Sequence, residues 1–165
     1  MDEISVRMGD LAVSADPATV LLSIGLGSCI GLVLLDARAG VAGLAHIMLP
    51  GPGDVACRPP ATFADTGVPA LVDAVEQLGA ARLSAAIVGG AQMFGAATIG
   101  GMQIGVRNEQ AVRAALGAAS IPIVAAQTGG GSGRTIRVHI ADMCVTARVA
   151  GANATALLGR MTVTA

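Results

Sequence analysis

The sequence predicts an α/β fold, and three features carry that prediction. Short uncharged apolar runs ending at glycines read as buried strands. Two segments carry apolar residues at helical spacing. Two late segments alternate apolar and polar residues, as half-buried strands do. With 165 residues, 53% of them hydrophobic and 13% charged, the chain can bury a sizeable core. One domain over residues 1–165 is the expectation.

Taken in chain order, Val20 to Pro50 is the most informative stretch. Ser23 lies at the end of a first apolar run. Ile30–Leu35 and Val41–Leu49 are two more, separated by the turn-forming Asp36-Ala37-Arg38-Ala39-Gly40, so an antiparallel hairpin is expected. A helix is expected over Thr66–Leu78, where Val68, Leu71, Val72, Val75 and Leu78 share a face, Pro69 falls in the first turn and Gly79 stops the chain. Leu83–Val88 reads as a strand ending at Gly89-Gly90. A second helix is expected from Asn108, as N-cap, to Gly117. Ile121–Ala126 reads as a strand before Gly129-Gly130-Gly131. Thr135–Ile140 and Cys144–Val149 alternate, with Ile136, Val138, Ile140 and Val145, Ala147, Val149 on their apolar faces. Beyond Ala150, Met161–Thr164 reads as an edge strand or a disordered end.

Composition excludes several functions. Ten basic residues, every one an Arg, stand against eleven acidic ones, and Trp and Tyr are missing. Neither a basic stripe for phosphates nor a stacking platform for bases can be assembled, so no nucleic-acid partner is expected. Without Lys, Schiff-base chemistry and a P-loop are ruled out. Residues 17–35 and 83–106 carry no charge, and mean hydropathy is +0.70. Both stretches are rich in glycine, and no aromatic belt exists, so buried strands are favoured over membrane insertion. Three cysteines at wide spacing, with no CxxC and no signal peptide, point to free thiols in a reducing cytosol. Neither a metal nor a cofactor is expected.

The chemistry centres on Cys29 and His46. If the hairpin loop is Ala37-Arg38, Cys29 lies directly across from His46, on the same sheet face. A thiol beside an imidazole is the minimal unit of cysteine hydrolase chemistry. The glycines of Gly25-Leu26-Gly27-Ser28-Cys29 allow backbone N–H groups to face a developing oxyanion, each such donor being worth ~3–4 kcal/mol of barrier. Gly27 and Ser28 are the expected backbone support there. Ser23 offers a hydroxyl to orient the imidazole. By residue type alone, a Cys in an apolar strand is usually a small buried hydrophobe, and a lone His more often a satisfied core or surface residue. An activated Cys29 is expected to alkylate faster near neutral pH than Cys57 or Cys144.

At these residues the sequence resembles a known family. Ser-Ile-Gly-Leu-Gly-Ser-Cys-Ile (23–30) and Ala-His-Ile-Met-Leu-Pro (45–50) are similar to blocks of the CheD family, the chemoreceptor glutamine deamidases of bacterial and archaeal chemotaxis. Further blocks follow in family order: Phe63-Ala64-Asp65-Thr66, Gly89-Gly90-Ala91-Gln92-Met93-Phe94, Ile104-Gly105-Val106-Arg107-Asn108, and Thr128-Gly129-Gly130 with Gly133-Arg134. The resemblance implies Cys29 as nucleophile, His46 as catalytic base and acid, and Ser23 in a third position usually held by Thr. Gln127 departs from an expected acidic residue. The implied fold is a sandwich of mixed β-sheets with outer helices, like deamidating toxins of the cytotoxic necrotizing factor type. The implied reaction converts receptor glutamine side chains to glutamate through a thioester, with glutamyl methyl ester hydrolysis open to the same machinery. Implied partners are the cytoplasmic helices of chemoreceptors and, in some members, a CheC-type phosphatase; a non-catalytic role binding either partner is the alternative.

Other motifs read more simply. Gly129–Arg134 lacks the ending of a phosphate loop and reads as a strand connection. His139 reads as a solvated surface residue, Cys57 as a loop residue, and Cys144 as structural. Arg107 reads as a receptor contact or a surface ion pair.

Overall fold

The computed structural model describes residues 1–93 and 103–159. Among these residues, ten strands and two helices run in the order β1 (Asp2–Ser5), β2 (Leu11–Ser14), β3 (Thr19–Leu26), β4 (Ile30–Asp36), β5 (Val41–Ile47), α1 (Ala64–Gln77), β6 (Ser84–Gly89), α2 (Ile104–Ala118), β7 (Ile123–Thr128), β8 (Arg134–His139), β9 (Cys144–Val149) and β10 (Thr155–Leu158). They form two five-stranded sheets, ordered β1-β3-β8-β9-β10 and β2-β5-β4-β6-β7. Each sheet is mixed: β1 runs parallel to β3 and β6 parallel to β7, while every other pair is antiparallel.

Three layers result. The face of the second sheet carrying Ile30, Leu32, Leu34, Val41, Ala45 and Ile47 packs on Val68, Leu71 and Val75 of α1 and on Val112 and Leu116 of α2. Its other face, with Val33, Leu35, Ala42, Leu44 and Val88, meets Leu21, Leu26, Ile136, Val138 and Val145 of the first sheet. Every residue of β4 and β5 is buried because both faces are covered. That is why both strands appear as unbroken apolar runs instead of alternating ones.

The expected α/β class and the β4–β5 hairpin are present, with three corrections. The hairpin loop is Ala37–Gly40, closed by the pair Asp36↔Val41, so Gly31 and not Cys29 lies across from His46. A two-residue shift keeps side chains on the same face, so Cys29 remains on the His46 side. Helix α1 begins at Ala64, which puts Pro69 in its second turn, where no N–H reaches the Asp65 carbonyl; Leu78 is a half-exposed C-cap. Helix α2 is capped by Gln103, and Asn108 lies inside it, fully buried. Strands β1 and β2, short and without a buried face of their own, were not expected. In the tail, β10 forms at Thr155–Leu158; the reading of Met161–Thr164 falls outside the described residues.

Candidate active site

The site lies at the end of the sandwich where β4 begins. Ser23 of β3 and His46 of β5 come from opposite sheets and meet in the layer between them, 0% and 1% exposed. Gly31, across from His46, makes this close approach possible: a side chain there would run into Leu26 at 2.8 Å.

The hydrogen bonds fix the imidazole's tautomer. The Ser23 hydroxyl donates to the Val6 carbonyl at 2.8 Å, and a carbonyl can only accept. Its single proton is therefore used, and the 2.8 Å contact with His46 Nδ1 has the imidazole N–H donating to Ser23 Oγ. Nε2 is buried and, among the described residues, without a partner. Burial holds the His46 pKa below its ordinary value, with the Val6 carbonyl and the Asp10 charge opposing. His46 is thus a neutral base with its free lone pair on Nε2.

Cys29 stands just before β4, partly buried and packed against the inter-sheet core. Burial pushes its thiol pKa up. A raised thiol pKa and a lowered imidazole pKa both favour the neutral pair of thiol and imidazole in the unliganded site. Catalytic contacts that tighten only around substrate are common in unliganded hydrolases.

Three glycine-rich segments close around Cys29. The Cys29 carbonyl accepts from Gly90 N–H, the Gly27 carbonyl from Ala91 N–H, and the Gly130 carbonyl from Gln92 N–H. Gly89, at φ +116°, lies so close to the Cys29 carbonyl that a side chain there would collide with it. Gly89 therefore serves backbone approach, while Gly25 and Gly129, at φ +75° and +80° with open space where a side chain would go, serve turning. Gly27 N–H is engaged by the Gly25 carbonyl, so Gly27 supports the loop. Among the described residues, no hydrogen bond uses the N–H of Ser28 or Cys29.

Two buried residues belong to this end that residue type and spacing did not single out. Asn108 Nδ2 donates to the Ser28 and Met48 carbonyls, both at 2.9 Å. Arg134 Nη1 donates to the Gly89 carbonyl at 3.2 Å, and burial lowers its pKa. The family blocks contained both, but nothing local distinguishes a buried Asn from an N-cap. Cys57 lies in a loop and Cys144 at the start of β9, as expected. His139 is half-buried on the outer face of the first sheet, beside Cys144 in register. No group of three or more potential metal ligands occurs among the described residues, and no described helix is long and apolar enough to cross a membrane.

A family model described as CheD chemotactic sensory transduction matches residues 48–149. Over 153 residues the chain is 43% identical to a probable chemoreceptor glutamine deamidase CheD of Desulforamulus reducens, covering 90% of this chain and 92% of the relative. It is 46% identical over 143 residues to the chemoreceptor glutamine deamidase CheD of Halalkalibacterium halodurans, covering 84% and 88%. A probable chemoreceptor glutamine deamidase CheD of the archaeon Haloarcula marismortui is 39% identical over 140 residues, covering 84% and 80%. With a matching family model across most of its length and relatives this similar over nearly all of it, the chain belongs to the CheD family.

Proposed function

We propose that this protein hydrolyses glutamine side chains of chemoreceptors to glutamate, with Cys29 as nucleophile and His46 as its proton-transfer partner. The observation that carries the reading is the tautomer of His46: Nδ1–H is committed to Ser23, and Nε2 is bare on the sheet face that Cys29 shares. The names of the relatives at 43% and 46% identity supply the substrate class.

The reaction follows from these groups. His46 Nε2 takes the thiol proton as Cys29 Sγ attacks the carboxamide carbon. The oxyanion forms against the free N–H groups of Ser28 and Cys29, in a setting where each donor is worth ~3–4 kcal/mol. His46 then protonates the amide nitrogen, the C–N bond breaks, and ammonia leaves a glutamyl thioester. Water loses a proton to Nε2 as it attacks, and the second oxyanion collapses to glutamate and the Cys29 thiol. Ser23, held by Val6, keeps Nδ1–H in place throughout. A methyl ester gives the same thioester with methanol leaving, so esterase activity belongs to the same proposal. Exposed Ile24, Leu49 and Met93 flank the segments that close around Cys29 and offer apolar contact to a receptor helix. A single deamidase domain over residues 1–165, of the cysteine hydrolase fold shared with deamidating toxins and working in the cytoplasm, is part of this reading.

The test is the mass of a chemoreceptor cytoplasmic fragment after incubation with wild type and with Cys29→Ala. An amide-to-acid gain with wild type alone is expected. Equal results from the two folded proteins would overturn the reading in favour of a binding module, for a CheC-type phosphatase or for the receptor itself.

A further inference from the structure

The ladder between β4 and β5 ends at Ile30↔Ile47. Both strands continue past that point into the residues that matter: backwards from β4 to Cys29 and Ser28, forwards from β5 to Met48. The Cys29 carbonyl has Gly90 N–H, but the Ser28 and Met48 carbonyls leave the ladder and need other donors. Asn108 supplies them. It is the fifth residue of α2, 0% exposed, and its one NH2 group donates both hydrogens across the gap, to Ser28 and Met48 at 2.9 Å each. Its Oδ1 is buried with no partner among the described residues. A helix built only to pack would place an apolar residue here, beside Val112 and Leu116. The orphaned oxygen marks a position where the two donors outweigh the burial of an unpaired acceptor.

We infer that Asn108 is a positioning residue for the reaction, clamping the carbonyl preceding Cys29 to the carbonyl two residues beyond His46. It touches neither the substrate nor the reacting atoms. It sets the separation of Sγ and Nε2 by holding together the two segments on which they ride. The inference rests on the proposed roles of Cys29 and His46.

Asn108→Leu keeps the branched shape and removes both donors; Asn108→Gln keeps the amide but moves it by one methylene. Relative to wild type, kcat for receptor-fragment deamidation should fall about 10–100-fold in the Leu variant and less in the Gln variant, with KM unchanged. The limbs of the kcat/KM profile against pH should move, and iodoacetamide should label Cys29 faster as the loop loosens. A purely architectural residue would lower the melting temperature and scale activity with the folded fraction, leaving the pH limbs and the labelling rate of folded protein unmoved; that result overturns the inference. So does kcat within twofold of wild type, and so does failure of both variants to fold. Labelling needs no substrate. If wild type proves inactive on receptors, unchanged labelling between wild type and variants still refutes the clamp, while altered labelling supports it independently of the substrate.

Discussion

The two ends of β4 treat buried polar groups in opposite ways. At its C-terminal end Asp36 is 3% exposed, and its carboxylate accepts four backbone N–H bonds, from Arg38, Ala39, Ala81 and Arg82. Burial alone would raise its pKa, but the four donors together hold it below the ordinary value. At the N-terminal end the accounting is incomplete. The buried side-chain atoms without partners among the described residues are His46 Nε2, Thr66 Oγ1, Asn108 Oδ1, Gln127 Oε1 and Arg134 Nε. His46, Asn108 and Arg134 lie on the segments gathered around Cys29, and Gln127 pairs with Val88 next to Gly89. One strand thus carries a structural tie at one end and the candidate site at the other, and the distinguishing mark is satisfaction of hydrogen bonds, not burial.

The largest effects should separate the ends cleanly. Cys29→Ala should lower deamidation about 10³-fold or more and leave the melting temperature nearly unchanged, since only a partly buried thiol is lost. Asp36→Ala should do the reverse. Four part-buried N–H groups lose their acceptor, costing about 3 kcal/mol, or roughly 6–12 °C in Tm for a chain of this size. Below its melting transition that variant should retain wild-type kcat. Loss of activity at temperatures where Asp36→Ala remains folded would mean that the two ends are coupled along β4.

The contrast also predicts pH behaviour. Asp36 has a lowered pKa when folded, so its contribution to stability is complete above the unfolded value near 3.8 and disappears as pH falls through the folded one. His46 is lowered as well, so the folded state resists its protonation, and stability begins to fall as pH drops below about 6.5. Activity needs His46 neutral at the start, so the acid limb of kcat/KM should lie below 6.5. Cys29 is raised, so alkylation of the isolated protein should climb only above the ordinary thiol range near 9.0. Stopped-flow labelling and a kcat/KM profile check both, and a labelling midpoint near neutrality would show that thiolate and imidazolium already form at rest.

How much of this was legible in the residues varies with where the information resides. The strand runs, the β4–β5 hairpin and the interior faces of β8 and β9 follow from apolar periodicity, which is local. The turn between Asp36 and Val41 was misjudged by two residues because an Asp-Ala-Arg-Ala-Gly stretch is compatible with several loop lengths. That error moved the partner of His46 from Cys29 to Gly31 but not the face, since side chains repeat every two residues. Ser23 could be named because it ends an apolar run in a family block, yet its second bond, to Val6, comes from a loop with no local signal. Asn108 was read as an N-cap because Asn favours that position; the carbonyls it holds are 80 and 60 residues away. Pairings at such separation leave no periodic trace.

The smallest effect expected concerns Ser23. Ser23→Ala removes the acceptor for His46 Nδ1–H and frees the imidazole to change tautomer, which should cost about 10²-fold in kcat. Ser23→Thr is the finer probe. The hydroxyl already holds two bonds at 2.8 Å, to Val6 and to His46, so its rotamer is set by partners and not by the side chain. A γ-methyl would restrict χ1 intrinsically and suits a strand. Because the partners have done most of that work, the gain in kcat should stay below about threefold, well under one factor of ten per 1.4 kcal/mol. The methyl must also fit a fully buried position between two packed sheets. A larger gain would mean that the serine hydroxyl samples other rotamers in the working enzyme; a loss, with Tm lowered in parallel, would mean that the inter-sheet layer around His46 is already filled, and that this chain's serine is an adjustment to its packing.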